Sequence, residues 1–180
     1  KASAASKSAL GKWHPSSIAS KLYELFATKK VAKFMEEQGV KITGQLIEEV
    51  SEKAAKEGVK KAGVGGLKAA AAVVPFVNIA VIGGFFVADY MWGQSHAREL
   101  FRLNESFTDV TQEMKNAAGL VHGLKGVASS SIWTLPLAFL PTELLIDVVY
   151  KHMIKDKDTL EKVDKGRVAQ KKMLQYQSTI

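Results

Sequence analysis

A run of 20 residues without a charged side chain, residues 69–88, constrains this chain more than any other feature. Lys68 and Asp89 bound the run, and the aromatic residues Tyr90 and Trp92 follow it. A helix rises about 1.5 Å per residue, so about 20 apolar residues reach across the roughly 30 Å hydrocarbon core of a bilayer. Such a segment must be buried either inside the protein or in a membrane.

A second segment poor in charge occupies residues 126–150. Its first 17 residues carry no charged side chain, and the first charge comes at Glu143. Pro136 and Pro141 are expected to kink or break a helix here, because proline lacks the backbone N–H and clashes with the preceding turn. We expect segments 69–88 and 126–150 to pair as a central helical hairpin.

The remainder of the chain has the pattern of amphipathic helices. No Asn-Gly or Asp-Gly turn and no sustained alternation of apolar and polar residues is present, so strands are not predicted. The spacing predicts one helix from Ser16 or Ser17 with a stop at Gly39, and a second helix after Thr43. The predicted fold is therefore all-α: a helical bundle around a central apolar pair, with amphipathic N-terminal helices and a polar C-terminal helix.

Three regions are predicted from these patterns. Residues 1–15 read as a flexible basic arm, and they contain no continuous apolar run of the kind that a secretory signal peptide needs. Residues 16–155 form the helical core. Residues 156–180 form a peripheral polar helix, which a capping box of Asp158 and Glu161 opens.

The sequence lacks the motifs of the common catalytic and metal sites. It has no cysteine, its four histidines are scattered, and neither a phosphate-binding loop nor a G-x-S-x-G turn occurs. Zinc normally needs three or four convergent ligands, which this spacing does not offer. We therefore expect no enzyme, no cofactor, no metal and no small-molecule substrate.

Positive charge is concentrated before the first apolar segment. The chain carries a net charge of +7, of which residues 1–68 contribute +6, residues 89–125 contribute −1 and residues 143–180 contribute +2. Both ends of a hairpin would then lie on the positive, cytoplasmic side of a membrane. The lysines expected to meet an anionic surface are Lys53, Lys56, Lys60, Lys61 and Lys68.

The first apolar segment also carries small residues at helical spacing. Ala80, Gly84 and Ala88 recur every four residues, which lets two helices approach closely in a membrane or in a soluble core. Tyr90, Trp92 and Trp133 are candidate anchors at a membrane interface. The residues expected to serve membrane insertion or helix packing are Pro75, Ala80, Gly83, Gly84, Ala88, Trp92, Trp133, Pro136 and Pro141.

One part of the chain resembles a known family. Val74-Pro75-Phe76-Val77, then Ile82-Gly83-Gly84, then Ala97 and Leu100-Phe101, look like the apolar proline–glycine–glycine segment of EcsC-like bacterial proteins, where a basic helical region also precedes it. The likeness covers about 30 residues, and the long continuation after Leu103 departs from it. It implies a membrane-associated helical protein of a bacterium or phage, and it carries over no catalytic residue.

Together these features favour a membrane-associating protein that inserts an apolar helix pair. Its expected partner is a lipid bilayer with anionic head groups, and homo-oligomers that form a pore or conduit are expected, as in helical toxins or phage ejection proteins. The expected location is a bacterial inner membrane, or the periplasm after delivery, with a soluble form before insertion. Two alternatives stay open: a soluble helical protein that assembles into a multi-subunit complex, and a basic nucleic-acid-binding module.

Overall fold

A computed structural model describes residues 13–73, 78–101, 109–128, 130–131 and 133–177, apart from the side chains of 62–73, 170 and 174. Within these ranges the prediction of an all-α fold is confirmed, because the regular structure consists of nine helices and no strand. The helices are α1 (Pro15–Ala27), α2 (Lys29–Glu37), α3 (Gly44–Val73), α4 (Ile79–Ser95), α5 (Ala97–Leu100), α6 (Gln112–Gly126), α7 (Pro136–Phe139), α8 (Thr142–Met153) and α9 (Lys157–Gln177).

The helix boundaries near the N-terminus differ from the sequence prediction in two places and otherwise agree with it. The first helix is capped by His14 rather than by Ser16 or Ser17, and it ends at Thr28, where the backbone becomes extended. The predicted stop at Gly39 is confirmed, since this residue adopts a φ of +66°, which favours glycine. The second helix follows Thr43 as predicted, and the Thr43 hydroxyl oxygen caps it by accepting a hydrogen bond from the Leu46 amide at 3.2 Å.

The first apolar segment is divided between two helices. Helix α3 continues to Val73, and α4 starts at Ile79, with the Asn78 side chain accepting a hydrogen bond from the Ala80 amide at 2.9 Å. Asn78 is therefore an N-cap rather than a polar interruption within one helix. Residues 74–77, which include Pro75, lie outside the described residues.

The second apolar segment is also divided, at the prolines. Pro136 is the first residue of α7, and Pro141 directly precedes α8. Proline is tolerated at such positions because the first amides of a helix have no partner within it. The expectation that both prolines break a helix is confirmed, and segment 126–150 is not one long helix.

The central pair of helices differs from the predicted hairpin. Helix α4 packs most extensively against α6, and α6 packs in turn against α8. Residues 112–126 of α6 fall mostly within the stretch that the sequence presents as a polar connection, yet α6 is the most completely buried helix of the described chain. Its buried residues are Met114, Asn116, Ala117, Ala118, Gly119, Leu120, Val121, Gly123 and Leu124.

Helices α4 and α6 approach closely because glycines on each face side chains on the other. A Cβ atom added at Gly119 would lie 2.8 Å from the Tyr90 ring, and one added at Gly123 would lie 2.7 Å from the Phe86 ring. In the opposite direction, a Cβ atom at Gly93 would lie 2.7 Å from His122. No larger residue fits at these positions without moving the helices apart.

Helix α9 is held to the rest of the protein by a buried arginine. The Arg167 guanidinium donates to Asp147 of α8 at 2.8 Å and to the carbonyl oxygen of Glu143 at 3.1 Å. Burial favours the neutral form of Asp147, but the hydrogen bonds from Lys171 and Arg167 outweigh it and lower the pKa of this carboxyl. The helix runs from Lys157 to Gln177, and its cap is Asp156 rather than the predicted Asp158, because the Asp156 side chain accepts a hydrogen bond from the Thr159 amide at 2.8 Å.

We predict that Gly93→Ala destabilises the fold, whereas Gly166→Ala does not. The new methyl group at Gly93 would meet the carbonyl oxygen of Ala118 at 2.7 Å, and overpacking of this kind costs about 1–3 kcal/mol. Gly166 lies within α9 and has no atom within 4 Å of an added Cβ, so alanine should stabilise the helix by about 0.5–1 kcal/mol. Urea unfolding measures both values, and equal stabilities of the two variants would contradict the packing of α4 on α6.

Candidate functional site

One face of α4 carries large apolar side chains that the described part of the chain does not cover. Val81, Phe85, Ala88 and Trp92 are exposed and follow each other at spacings of four, three and four residues, which places them on one side of a helix. Met91 lies beside them and is also exposed. We call these five residues the outer face of α4.

The opposite face of α4 is equally apolar and lies in the core. Ile82, Phe86 and Tyr90 are buried, and the Phe86 and Tyr90 rings make edge-to-face contacts with Phe26 and Phe34 at centroid distances of 5.4 and 5.2 Å. Helix α4 is therefore apolar all round, with Asp89 as its single charged residue. A helix of this kind is usually buried on every side, and α4 is buried on only one.

A network of amides fixes the rotation of α4. The Gln94 side chain donates hydrogen bonds to the side-chain oxygens of Gln38 and Asn116, both at 2.9 Å. The Asn116 amide donates in turn to the Gln38 carbonyl oxygen at 3.3 Å. Because Gln94 must point inward to make these bonds, Trp92 and the rest of the outer face point outward.

Two histidines flank Trp92 at the C-terminal end of the outer face. The His96 ring stacks on the indole with centroids 4.0 Å apart, and the His122 ring of α6 meets it edge-on at 4.7 Å. Burial and the neighbouring His96 lower the pKa of His122, while Asp89 acts in the opposite direction. The neutral imidazole of His122 is therefore the form that the folded protein favours.

Lysines of α2 lie beside the outer face. Lys29, Lys30 and Lys33 are exposed on this helix, which packs against α4. The Lys30 ammonium lies 3.5 Å from the position of a Cβ at Gly84, so it reaches across the middle of the small-residue ridge. Lys33 pairs with Glu37 at 3.8 Å, whereas Lys29 and Lys30 make no ion pair with any described residue.

The predicted packing residues have different environments. Ala80 and Ala88 are exposed and Gly84 is half-buried, so the ridge lies at the outer face of α4. Gly83 is buried against α2, where a Cβ would lie 3.1 Å from Val31. The remaining positions are Trp92, which is exposed, Trp133 and Pro141, which are half-buried, and Pro136, which is buried. Tyr90, a candidate interface anchor in the sequence, is fully buried.

The predicted lysine cluster lies on α3. Lys56, Lys60 and Lys61 are exposed and Lys53 is half-exposed, with ion pairs joining Lys53 to Glu49 at 3.3 Å and Lys60 to Glu57 at 3.5 Å. The side chain of Lys68 lies outside the described residues. Helix α3 packs against α1, α7 and α8, whereas α4 packs against α1, α2, α5 and α6. The cationic neighbour of the outer face is thus Lys30, which the sequence did not single out.

The described helices and acidic or histidine side chains offer neither a membrane span nor a metal site. Among the helices of the described chain, none combines the length and the apolar character needed to cross a membrane. The described residues also contain no group of three or more histidine, aspartate or glutamate side chains that is placed to hold a metal ion.

Comparisons with known proteins yield no relative. No family model matches the sequence, and no curated protein or solved structure is significantly similar to the chain. The resemblance to EcsC-like proteins stays a prediction.

The two adjacent phenylalanines of α4 provide a matched test of its orientation. Phe85 is 51% exposed and Phe86 is fully buried. We predict that Phe86→Ala lowers the free energy of unfolding by about 3–5 kcal/mol, as large-to-small changes in a core do. Phe85→Ala should change it by less than about 1 kcal/mol, since most surface substitutions have small effects. Urea unfolding of both variants measures this, and a larger loss at Phe85 would mean that the outer face is covered in solution.

Proposed function

We propose that this protein binds anionic membrane surfaces through the outer face of α4, without catalysing a reaction. The observation that carries the proposal is the exposure of Val81, Phe85, Met91 and Trp92 on one helix. Contiguous apolar patches on a protein surface commonly mark a site of contact with a membrane or a protein. The positions of the lysines favour the membrane.

The apolar part of the membrane-binding free energy comes from side chains of the outer face that are already about half exposed to solvent. Full burial of a large apolar side chain contributes about 1.5–3 kcal/mol, so each half-exposed residue of the outer face offers roughly half of this on insertion. Ala80, which is also exposed, extends the face without a polar interruption. The indole of Trp92 is suited to the boundary between head groups and hydrocarbon, because it combines a large apolar ring with a polar N–H group.

The electrostatic part of the membrane-binding free energy comes from the exposed lysines of α2. Lys29 and Lys30 have no carboxylate partner among the described residues, and Lys30 lies directly beside the outer face. A lysine near an anionic membrane surface contributes roughly 1 kcal/mol. The excess of positive charge in residues 1–68 acts in the same direction.

The geometry suits a helix that lies in the plane of the interface. Helix α4 has 17 residues and is apolar all round, so contact along its side would bury the outer face while the opposite face stays in the core. Interfacial helices insert their apolar face about 5–10 Å deep, which requires no spanning segment. Insertion of a helix pair and assembly into a pore or conduit stay predictions.

Self-association is the second candidate function. Ala80, Gly84 and Ala88 lie on the outer face, where they would allow a second copy to approach closely. The Lys30 ammonium reaches across the ridge at Gly84, however, so a second copy would have to displace it. A lysine in this position suits anionic head groups better than an identical basic surface. Nucleic-acid binding through the lysines of α3 stays a prediction.

Flotation with vesicles tests the proposal. We expect the protein to bind vesicles of phosphatidylglycerol and phosphatidylcholine more tightly than vesicles of phosphatidylcholine alone. The double variant Phe85→Gln/Trp92→Gln should lose affinity on the order of tenfold or more, since a loss of 1.4 kcal/mol lowers affinity about tenfold.

The matched control is Met173→Gln, which replaces an exposed apolar side chain on α9, 66% accessible, and should bind like the wild type. Lys29→Gln/Lys30→Gln should reduce the preference for anionic vesicles. Vesicle binding that is absent from the wild type, or that the double variant retains in full, would contradict the proposal. Sedimentation without lipid distinguishes the second candidate, because a dimer that Phe85→Gln/Trp92→Gln dissociates would support self-association.

A further inference from the structure

His122 occupies the point where the C-terminal half of α4 lies closest to α6. A Cβ added at Gly93 would lie 2.7 Å from the His122 Cβ atom and 2.8 Å from its ring, so the imidazole fills the space that the glycine leaves. The edge of the same ring supports Trp92, with centroids 4.7 Å apart. The position of Trp92 therefore depends on a titratable side chain of the neighbouring helix.

A second histidine holds Trp92 from the other side. The His96 ring is nearly parallel to the indole, at an interplanar angle of 25°. Its Nδ1 atom lies 2.9 Å from the Trp92 carbonyl oxygen and 3.0 Å from the Ser95 hydroxyl. With Nδ1 protonated, the His96 ring donates to that carbonyl oxygen, and this bond closes the end of α4.

Within the described part of the chain, Asp89 and His96 are the titratable groups that act on His122. Asp89 of α4 favours its cationic form, and His96 opposes it. On α6 itself, the Lys125 ammonium donates to the carbonyl oxygen of Leu137 at 3.0 Å, and burial lowers its pKa. Of the other helices packed on α4 and α6, α5 carries Arg98 and Glu99. Helix α8 carries Glu143 and Asp147, which bind Arg167, and also Lys151 and His152. His152 binds Glu49.

We propose that His122 forms an acid-sensitive latch, in which its protonation loosens the C-terminal half of α4 from α6, frees Trp92 and strengthens membrane binding. The strengthening of binding rests on the proposed function, whereas the latch itself does not. An imidazolium at position 122 would be half-buried without a hydrogen-bond partner among the described residues. The neighbouring His96, across the same indole, also disfavours a positive charge on His122.

The direction of the pH effect follows from the lowered pKa of His122. An unfolded or detached segment takes up the proton near the ordinary histidine value of about 6.5, whereas the packed state resists it to a lower pH. The packed state therefore loses stability as the pH falls below about 6.5 and keeps it above that value. An anionic membrane attracts protons to its surface, so the latch would open where the lipid lies.

Unfolding without lipid tests the latch separately. We expect the unfolding equilibrium constant of the wild type to rise severalfold more between pH 7.5 and pH 5.5 than that of His122→Gln, about one unit to either side of the histidine value. The control Met173→Gln, which changes an exposed side chain on α9, should keep the wild-type response. An equal response of wild type and His122→Gln would overturn the latch.

A second measurement avoids substitution altogether. In an NMR titration of the wild type, the His122 imidazole should titrate below the ordinary histidine value of about 6.5, and titration at or above that value would overturn the latch. In flotation, stronger binding at pH 5.5 than at pH 7.5 in the wild type, with no such change in His122→Gln, supports the complete inference. The same pH dependence in both proteins overturns it. Vesicle binding that is absent at every pH contradicts the proposed function, while unfolding and titration still decide the latch.

Discussion

The close contact between α4 and α6 determines the rest of the structure. Glycines at positions 119 and 123 admit the rings of Tyr90 and Phe86, and Gly93 admits His122 in the opposite direction. Dispersion and burial at such a contact are strong because the backbones lie near each other and few voids remain. This contact sets the rotation of α4, and the rotation decides which of its two apolar faces is left outside.

Parts of this fold could be predicted from the sequence, because local chemistry determines them. Proline positions 136 and 141, the glycine stop at 39 and the threonine cap at 43 each act within one turn of chain. The burial of α6 could not be predicted from hydropathy, since its alanines, glycines and Asn116 are only weakly apolar or polar. Small residues are buried because neighbours approach them closely, and this depends on the partner helix. The spacing of Gly119, Gly123 and Gly126 at three and four residues is the sequence signal that indicates the burial of α6.

In the candidate surface too, some features follow from the local sequence and others depend on the packing of distant helices. Its apolar residues lie in the segment that the sequence marked, and Ala80, Ala88 and Trp92 are exposed there. Its cationic neighbour Lys30 comes from a helix about 50 residues earlier, and no local pattern places it beside Gly84. Tyr90 and Trp92 look alike in sequence, yet one lies in the core and the other outside, because two residues along a helix turn the side chain by about 200°. The surface and its proposed acid sensitivity both depend on that rotation.

The most direct test places an environment-sensitive fluorophore on the outer face. The chain has no cysteine, so Val81→Cys can be labelled selectively with a nitrobenzoxadiazole dye. Val81 is 49% exposed, and the same label at Met173→Cys on α9 is the matched reference. We predict that anionic vesicles raise the emission of the dye at position 81 and shift it to the blue, while the dye at position 173 stays unchanged. An unchanged dye at position 81, or equal changes at both positions, would contradict membrane contact through α4.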